Sequence, residues 1–172
     1  MTFDSADGLR LSGTIHTPED MRDGEKRPAF IVLHGFGSNS SAGNTVGPAR
    51  MLCDWGYVVL RFDMRGCGDS DGEFGRIICL DQVEDTRHAL TYLEDRPEVL
   101  GDRIGLLGSS FGAAVSLYTA GIDERPAAVV ASGSWGNGET KFRAQHSSPE
   151  AWARFTGMLV AGAAHKKRTG ES

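Results

Sequence analysis

Four short, mostly apolar runs recur along the chain, and helical or polar segments separate them. Their continuous apolar character is typical of strands that a sheet buries on both faces. An earlier segment, residues 9–16, alternates instead, with Leu9, Leu11 and Ile15 on one face, which predicts a half-buried strand near an edge of the sheet. The four apolar runs are residues 29–33, 57–62, 103–107 and 127–131.

Helical patterns lie between or after these runs and cover residues 48–55, 80–95, 113–120 and 147–168. The predicted ends rest on Pro48 at a first helical position, on Asp81 with Glu84 as a capping pair, and on Gly121 as a stop. Strands that alternate with helices favour right-handed crossovers. The pattern therefore predicts an α/β fold, a doubly wound and mainly parallel sheet with helices on both faces.

The pattern changes after Ser134, which divides the chain into a predicted core, residues 1–136, and a helical, lid-like segment with a basic tail, residues 137–172. The 18 Lys and Arg against 23 Asp and Glu give a net charge of −5, which argues against a nucleic-acid partner. No apolar run approaches the roughly 18 residues of a membrane span, so no membrane partner is expected.

Neither a signal peptide nor paired cysteine spacing is visible, and the three cysteines are an odd number. This usage favours reduced thiols and a cytoplasmic location over a disulfide framework or a zinc site. Phosphate-loop and dinucleotide-binding patterns are also missing from the sequence. We therefore predict neither a metal nor a cofactor.

The segment Gly108-Ser109-Ser110-Phe111-Gly112 matches the pattern G-x-S-x-G, directly after an apolar run and directly before a helix of small residues. A serine at such a sharp turn has a strained backbone, and side chains in place of the two glycines would collide with neighbouring elements. The turn would expose the Ser110 hydroxyl at the carboxyl end of the sheet. The pattern predicts Ser110 as a nucleophile; the alternative is a glycine turn that only tightens packing.

A second glycine turn, His34-Gly35-Phe36-Gly37, ends the first buried strand. Its main-chain N–H groups can turn toward a ligand, and Phe36 is the predicted donor there. The N–H of Phe111, at the start of a helix, is the predicted second donor of an oxyanion hole. His34 ends a different strand from the serine, so we do not assign it as the base.

Together with Asp63-Met-Arg-Gly-Cys-Gly-Asp-Ser70, these two turns resemble the three landmarks of the α/β-hydrolases, in family order. The middle turn is most similar to the esterase and acyl-peptidase-like branch, and the resemblance covers the chain to about residue 136. It implies a serine hydrolase that acts on an ester, amide or related acyl bond of a small molecule, through an acyl-enzyme on Ser110. It also implies that Asp63 and Arg65 shape a loop beside the site.

In the resembled family an acid and then a histidine follow the nucleophile, on loops after later strands. Only one further apolar run follows Ser110 here. Glu139 is a candidate acid, and His146 and His165 are the histidines that follow Ser110. Their polar and basic surroundings favour a surface role for both histidines over a role as base.

The run 127–131 would then be an open edge of the sheet, although its composition suits an interior strand. An apolar edge with unpaired N–H and C=O groups invites pairing with another chain. We therefore expect a second polypeptide to complete the sheet and to supply the acid and the histidine; a fragment of a longer precursor is the other version. The rival hypothesis is a non-catalytic, hydrolase-like binding subunit.

Overall fold

The computed structural model describes residues 1–170 and divides them into two compact units. Unit 1 is Met1–Ser134, and unit 2 begins at Trp135. The last two residues of the predicted lid-like segment, 171 and 172, lie outside the described residues.

Unit 1 holds a six-stranded sheet in the order β1-β2-β4-β3-β5-β6. The two strand pairs that involve β2 are antiparallel, and β4, β3, β5 and β6 are parallel to one another. The mainly parallel α/β sheet predicted from the sequence is confirmed. The strands are β1 (Thr2–Asp4), β2 (Arg10–His16), β3 (Arg27–Leu33), β4 (Val58–Phe62), β5 (Val99–Ser109) and β6 (Pro126–Ser132), and the helices are α1 (Gly43–Asp54), α2 (Cys79–Glu94) and α3 (Phe111–Ile122).

The sheet is doubly wound around β3. The chain leaves β3 through α1 to reach β4 on one side, and it leaves β4 through α2 to reach β5 on the other side. Right-handed crossovers in opposite directions place their helices on opposite faces. The contacts agree, because α1 packs on β3 and β4, whereas α2 and α3 pack on each other and on β5.

Helices on both faces bury the centre of the sheet. Leu60, Ile31 and Leu106 lie side by side on β4, β3 and β5, and all three are fully buried. Phe3 of the short strand β1 extends this core, because its ring stacks on Tyr92 of α2 with 5.2 Å between ring centroids. These rows explain why continuous apolar runs mark the central strands in the sequence.

Three predicted helix ends differ from the structure. Helix α1 begins at Gly43, and Pro48 lies inside it. The hydrogen bond that Pro48 cannot donate would reach the carbonyl of Asn44, which is exposed and can bind water instead. Asp81 does not cap α2, because it pairs with Arg76 at 2.7 Å. Helix α3 continues through Gly121 to Ile122.

Strand β6 is an open edge of the sheet. Among residues 1–170 it pairs with β5 alone, and five of its seven residues are exposed, including Val130 at 49%. The adjacent flank of α3 also exposes apolar side chains, Leu117 and Ile122 among them. An apolar surface of this kind suits contact with further polypeptide.

Unit 2 contains two helices, α4 (Gly138–Gln145) and α5 (Pro149–Thr169). The predicted helix 147–168 begins two residues later in the structure, at Pro149, and Ser148 caps it by accepting a hydrogen bond from Ala151 N–H at 3.1 Å. The sequence did not predict α4, which is only eight residues long and mostly polar, too short to show an apolar period.

Candidate active site

The site lies where the sheet changes winding direction. Strands β3 and β5 are neighbours, yet the chain leaves β3 toward one face of the sheet and leaves β5 toward the other. In open α/β sheets this divergence opens a crevice beyond the carboxyl ends of the strands, where ligands bind. The turn that follows β3 and the turn that follows β5, which contains Ser110, border this crevice.

Ser110 occupies a strained backbone position between β5 and α3. Its φ is 55°, the one positive value among the non-glycine residues of the described chain, 1–170. A Cβ on Gly108 would overlap Gly112, and a Cβ on Gly112 would lie 2.5 Å from the carbonyl oxygens of Leu33 and His34. The glycines of the motif are therefore required by close backbone packing, and Ser110 itself is exposed.

The turn after β3 lies against Ser110. A Cβ built on Gly35 would be 3.7 Å from Ser110 Cβ, and the rings of Phe36 and Phe111 meet edge to face with 5.5 Å between centroids. Ser38 N–H donates to Gly35 O at 3.2 Å, which closes the turn around Phe36 and Gly37. The structure thus brings together the three predicted residues Ser110, Phe36 and Phe111.

The N–H groups at this place can face a common ligand. Phe36 is the second residue of a turn, a position whose N–H the turn's own hydrogen bond does not use. Phe111 is the first residue of α3, where N–H groups point along the axis and the helix dipole favours negative charge. Such a pair of donors suits an oxyanion next to Ser110.

His34 holds the turn after β3 in place. Its Nδ1–H donates to Gly35 O at 2.9 Å, and its Nε2 accepts from Met64 N–H at 3.1 Å. The ring is buried, and burial lowers the pKa of His34 below its usual range, although the bond to Gly35 and the charge of Asp63 oppose this shift. Both ring nitrogens are used, so His34 positions the loop and does not serve as a base.

Asp63 organises the turn that follows β4. Its carboxylate accepts hydrogen bonds from Ser40 N–H at 2.6 Å and from Asp69 N–H at 2.9 Å. A side chain at Gly68 would overlap this carboxylate, which explains the glycine there. Asp63 therefore has the loop-shaping role that the resemblance implies, and its oxygens are engaged by backbone groups.

Arg65 fastens the same turn to α2. Its guanidinium donates to Asp85 Oδ1 through Nε at 2.9 Å and Nη2 at 2.6 Å, and its backbone N–H donates to Asp85 Oδ2 at 2.9 Å. Asp85 is fully buried, and this burial raises its pKa while the bonds from Arg65 act to lower it. Sequence reasoning missed Asp85; an acidic residue inside the buried stripe of a helix was the available signal.

The candidate acid and bases belong to unit 2. Glu139 lies in the first turn of α4, 3.8 Å from Arg143. His146 follows α4, with Nδ1 hydrogen-bonded to Phe142 O at 2.8 Å and its ring stacked on Phe155. His165 lies in α5 and its carbonyl accepts from Thr169. Their assignments as acid or base stay predictions.

Ser110 also has a backbone partner that the sequence does not reveal. Its N–H donates to Ser132 O, the last residue of β6, at 2.8 Å. The edge strand therefore helps to fix the position of the serine. This contact depends on strand pairing, which no local motif encodes.

Residues 1–170 contain no group of three or more His, Cys, Asp and Glu side chains arranged to hold a metal ion. No helix in this range is both long and apolar enough to cross a bilayer.

Comparison with known proteins gives consistent matches. The family model described as Serine aminopeptidase, S33 matches residues 24–170. An uncharacterized 31.7 kDa protein of the traX-finO intergenic region of Escherichia coli is 31% identical over 168 residues, which are 96% of this chain and 56% of that protein. Polyketide transferase ATR5 of Stachybotrys chlorohalonatus is 36% identical over 138 residues, 76% of this chain and 42% of that protein.

A solved structure matches the whole chain. The crystal structure of α/β hydrolase GrgF from Penicillium superimposes with a TM-score of 0.80 and 26% identity, and covers 100% of this chain and 55% of that one. The chain thus spans about half the length of the relatives it matches. The chain belongs to the α/β hydrolases, in the family described as Serine aminopeptidase, S33.

Proposed function

We propose that this chain carries the nucleophile and the oxyanion hole of a serine acyl hydrolase. The observation that carries the proposal is the position of Ser110, exposed at φ 55° between two glycines whose close packing fixes the turn. A strained, exposed serine at the N-terminus of a helix suits nucleophilic attack. A turn that only tightened packing would not require a serine, rather than a glycine, at a positive φ.

The chemistry proceeds in two acyl transfers. Ser110 Oγ attacks the carbonyl carbon and gives its proton to a base, and the N–H groups of Phe36 and Phe111 stabilise the tetrahedral oxyanion. Collapse breaks the bond to the alcohol or amine, which leaves with that proton, and an acyl-enzyme remains. Water then attacks the ester on Ser110 and loses a proton to the base; the base gives this proton to Ser110 Oγ as the acid is released. The name polyketide transferase, given to the Stachybotrys relative, is consistent with an acyl group held in this way.

The proton acceptor comes from polypeptide that pairs with the open edge of β6. Within Met1–Ser134, no imidazole is hydrogen-bonded to Ser110: His34 uses both ring nitrogens, His16 on β2 accepts from Arg61, and His88 lies in α2. A serine hydroxyl without a base reacts slowly at neutral pH, because its proton has no acceptor. The exposed, apolar β6 supports an added strand, and the end of β6 already contacts the serine backbone.

The free thiols support a cytoplasmic location for this activity. The described chain has three free cysteines, Cys53, Cys67 and Cys79. Burial raises the pKa of each thiol. Reduced, weakly reactive thiols suit a reducing compartment.

The proposal is tested by labelling the chain with a fluorophosphonate probe, with and without free imidazole as a substitute base. We expect imidazole to raise the labelling rate on the order of 10²-fold, the usual contribution of a general base. Tryptic mapping should place the label on Ser110. Ser110→Ala should abolish the label, whereas Ser109→Ala, the matched neighbour, should keep it.

This experiment distinguishes the serine hydrolase from the non-catalytic binding subunit. A folded chain whose Ser110 stays unlabelled at every imidazole concentration would favour a non-catalytic binding subunit. Labelling of Ser110 that is already fast without imidazole would contradict the external base, while leaving the nucleophile in place.

A further inference from the structure

We propose that Phe36 and Ile77 form an apolar wall that binds an extended acyl chain, so that the substrate carries several methylenes next to the carbonyl that reacts. This inference rests on the proposed function, because it assigns the acyl side of the same site. Phe36 then has two separate roles, one through its N–H and one through its ring.

The ring of Phe36 is exposed yet fixed. It is 60% exposed, although its edge-to-face contact with the buried ring of Phe111 holds it beside the residue that follows Ser110. A large aromatic surface that faces water next to a reactive group is an unsatisfied apolar surface. An acyl chain that extends from the Ser110 carbonyl would cover it.

Ile77 continues this surface beyond Gly37. A Cβ built on Gly37 would lie 3.9 Å from Ile77 Cδ1, so the isoleucine side chain lies beside the turn that contains Phe36. The segment before Ile77 is held by a hydrogen bond from Gly75 N–H to Gly66 O at 2.9 Å. The proposed wall therefore lies on two turns, each closed or held by a backbone hydrogen bond.

The charges of this segment do not oppose an apolar ligand. Arg76, one residue before Ile77, pairs with Asp81 at 2.7 Å and lies 4.0 Å from Glu73. Its charge is thereby compensated within the segment. Beside the exposed Glu73 and Arg76, the segment also exposes three apolar side chains, Phe74, Ile78 and Leu80.

Binding strength should rise with chain length. Full burial of one methylene tightens binding about fourfold. A wall on one side covers about half of the methylene surface and should give about half of that free energy, which is roughly twofold in affinity per methylene. The four additional carbons of 2-decanone over 2-hexanone should therefore tighten binding by about 16-fold.

The experiment measures equilibrium binding of these two uncleavable methyl ketones by NMR titration, in a Ser110→Ala background where no covalent adduct forms. We expect Phe36→Ala and Ile77→Ala each to reduce the 2-decanone to 2-hexanone affinity ratio from about 16-fold to about fourfold. The control is Trp55→Ala, which removes a similarly exposed aromatic ring at the end of α1. Trp55 precedes β4 and so lies at the amino ends of the parallel strands, away from Ser110 at the carboxyl ends. This control should leave the ratio unchanged.

The inference would be overturned if the 2-decanone to 2-hexanone affinity ratio were near one in the Ser110→Ala chain with both wall residues present. It would also be overturned if Phe36→Ala left this ratio unchanged. Because Phe36 is exposed, Phe36→Ala should not unfold the chain. This variant therefore keeps the test valid if Ile77→Ala is unstable. Failure here is distinct from failure of the proposed function, which is read separately from the labelling of Ser110. A labelled Ser110 without a chain-length preference would overturn the acyl wall alone.

Discussion

At position 36, backbone and side chain contribute separately to the proposed chemistry. The N–H lies in a turn that His34 holds through Gly35, and the ring contacts Phe111. Proline can occupy the second position of such a turn but has no N–H. A pair of substitutions can therefore separate the hydrogen bond to the oxyanion from the contact with the acyl chain.

We predict that Phe36→Pro slows the imidazole-assisted labelling of Ser110 by about 10²-fold relative to Phe36→Ala, because loss of one oxyanion donor usually costs 10²–10³-fold in rate. Both variants lack the ring, so the difference between them reports the N–H alone. Circular dichroism checks that both are folded. Equal labelling rates in the two variants would mean that Phe36 N–H does not stabilise the oxyanion.

Gly112 is the second residue with a sharp structural requirement. We predict that Gly112→Ala lowers the free energy of unfolding by about 3 kcal/mol, because the new Cβ would lie 2.5 Å from two carbonyl oxygens at the end of β3. Gly121→Ala in the same helix meets no atom within 4 Å and should be neutral or stabilising by up to about 1 kcal/mol. Urea denaturation measures both; equal effects would show that the packing at Gly112 relaxes without cost.

At the scale of elements, local pattern predicts the central strands and most helices but not their full extent. Strand β5 begins at Val99, four residues before the predicted run, because Gly101 and Asp102 interrupt the apolar pattern while the backbone continues. Strand β1 has three residues, too few to show an alternation of apolar and polar positions. Pairing with neighbouring strands sets the extent of β1 and of β5, and pairing is not encoded locally.

The same distinction applies to the site. Ser110, Phe36 and Phe111 can be identified because each lies within a short motif whose glycines mark the turn. The contact of Ser110 with Ser132 and the ion pair of Arg65 with Asp85 join residues about 20 apart in sequence. Glu139 and His146 rest on no motif, and their catalytic assignment stays a prediction.

Asp123 joins three elements through charge. It follows α3 and accepts hydrogen bonds from Arg125 Nε at 2.9 Å, at the start of β6, and from Arg87 Nε of α2 at 3.0 Å. The bonds from Arg125 hold the pKa of Asp123 well below its usual value of 3.8, against the opposing effect of burial. A lowered carboxylate pKa stabilises the fold above the usual value, and this contribution is lost as the pH falls below it.

We predict that Asp123→Asn lowers the free energy of unfolding at pH 7 by about 2 kcal/mol. This gap in free energy of unfolding between the variant and the unaltered chain should narrow as the pH falls from about 4 to 2. Arg125→Gln should flatten the acid dependence in the same way, because it removes the principal donor. Urea denaturation at several pH values measures the gap. A gap that stays constant down to pH 2 would contradict the role given to Asp123.

In the molecule as a whole, β6 is an exposed edge strand, which pairs with β5 alone among the described residues. The chain spans about half the length of its relatives, and the lid-like role predicted for residues 137–172 remains a prediction. The sequence predicts an open edge at β6, but it does not identify the proposed partner, because strand pairing is not encoded locally. The edge has consequences for the chain alone.

We predict that the chain self-associates through β6 at high concentration, and that Val130→Lys prevents this, because a lysine on an edge strand blocks pairing. Leu117→Lys is the matched control: Leu117 on α3 is exposed to the same 49% but lies off the strand. Sedimentation velocity measures the association. If Leu117→Lys alone prevented association, the contact would involve the helix flank, and the edge argument would be wrong.

The role proposed for Ser110 is measured by the mass of the chain after brief mixing with p-nitrophenyl butyrate in the presence of imidazole, followed by tryptic mapping. We expect one added butyryl group on the peptide that contains Ser110, formed much more slowly without imidazole and absent from Ser110→Ala. If the folded chain acquires no acyl group on that peptide, or acquires it equally in the alanine variant, Ser110 is not the nucleophile.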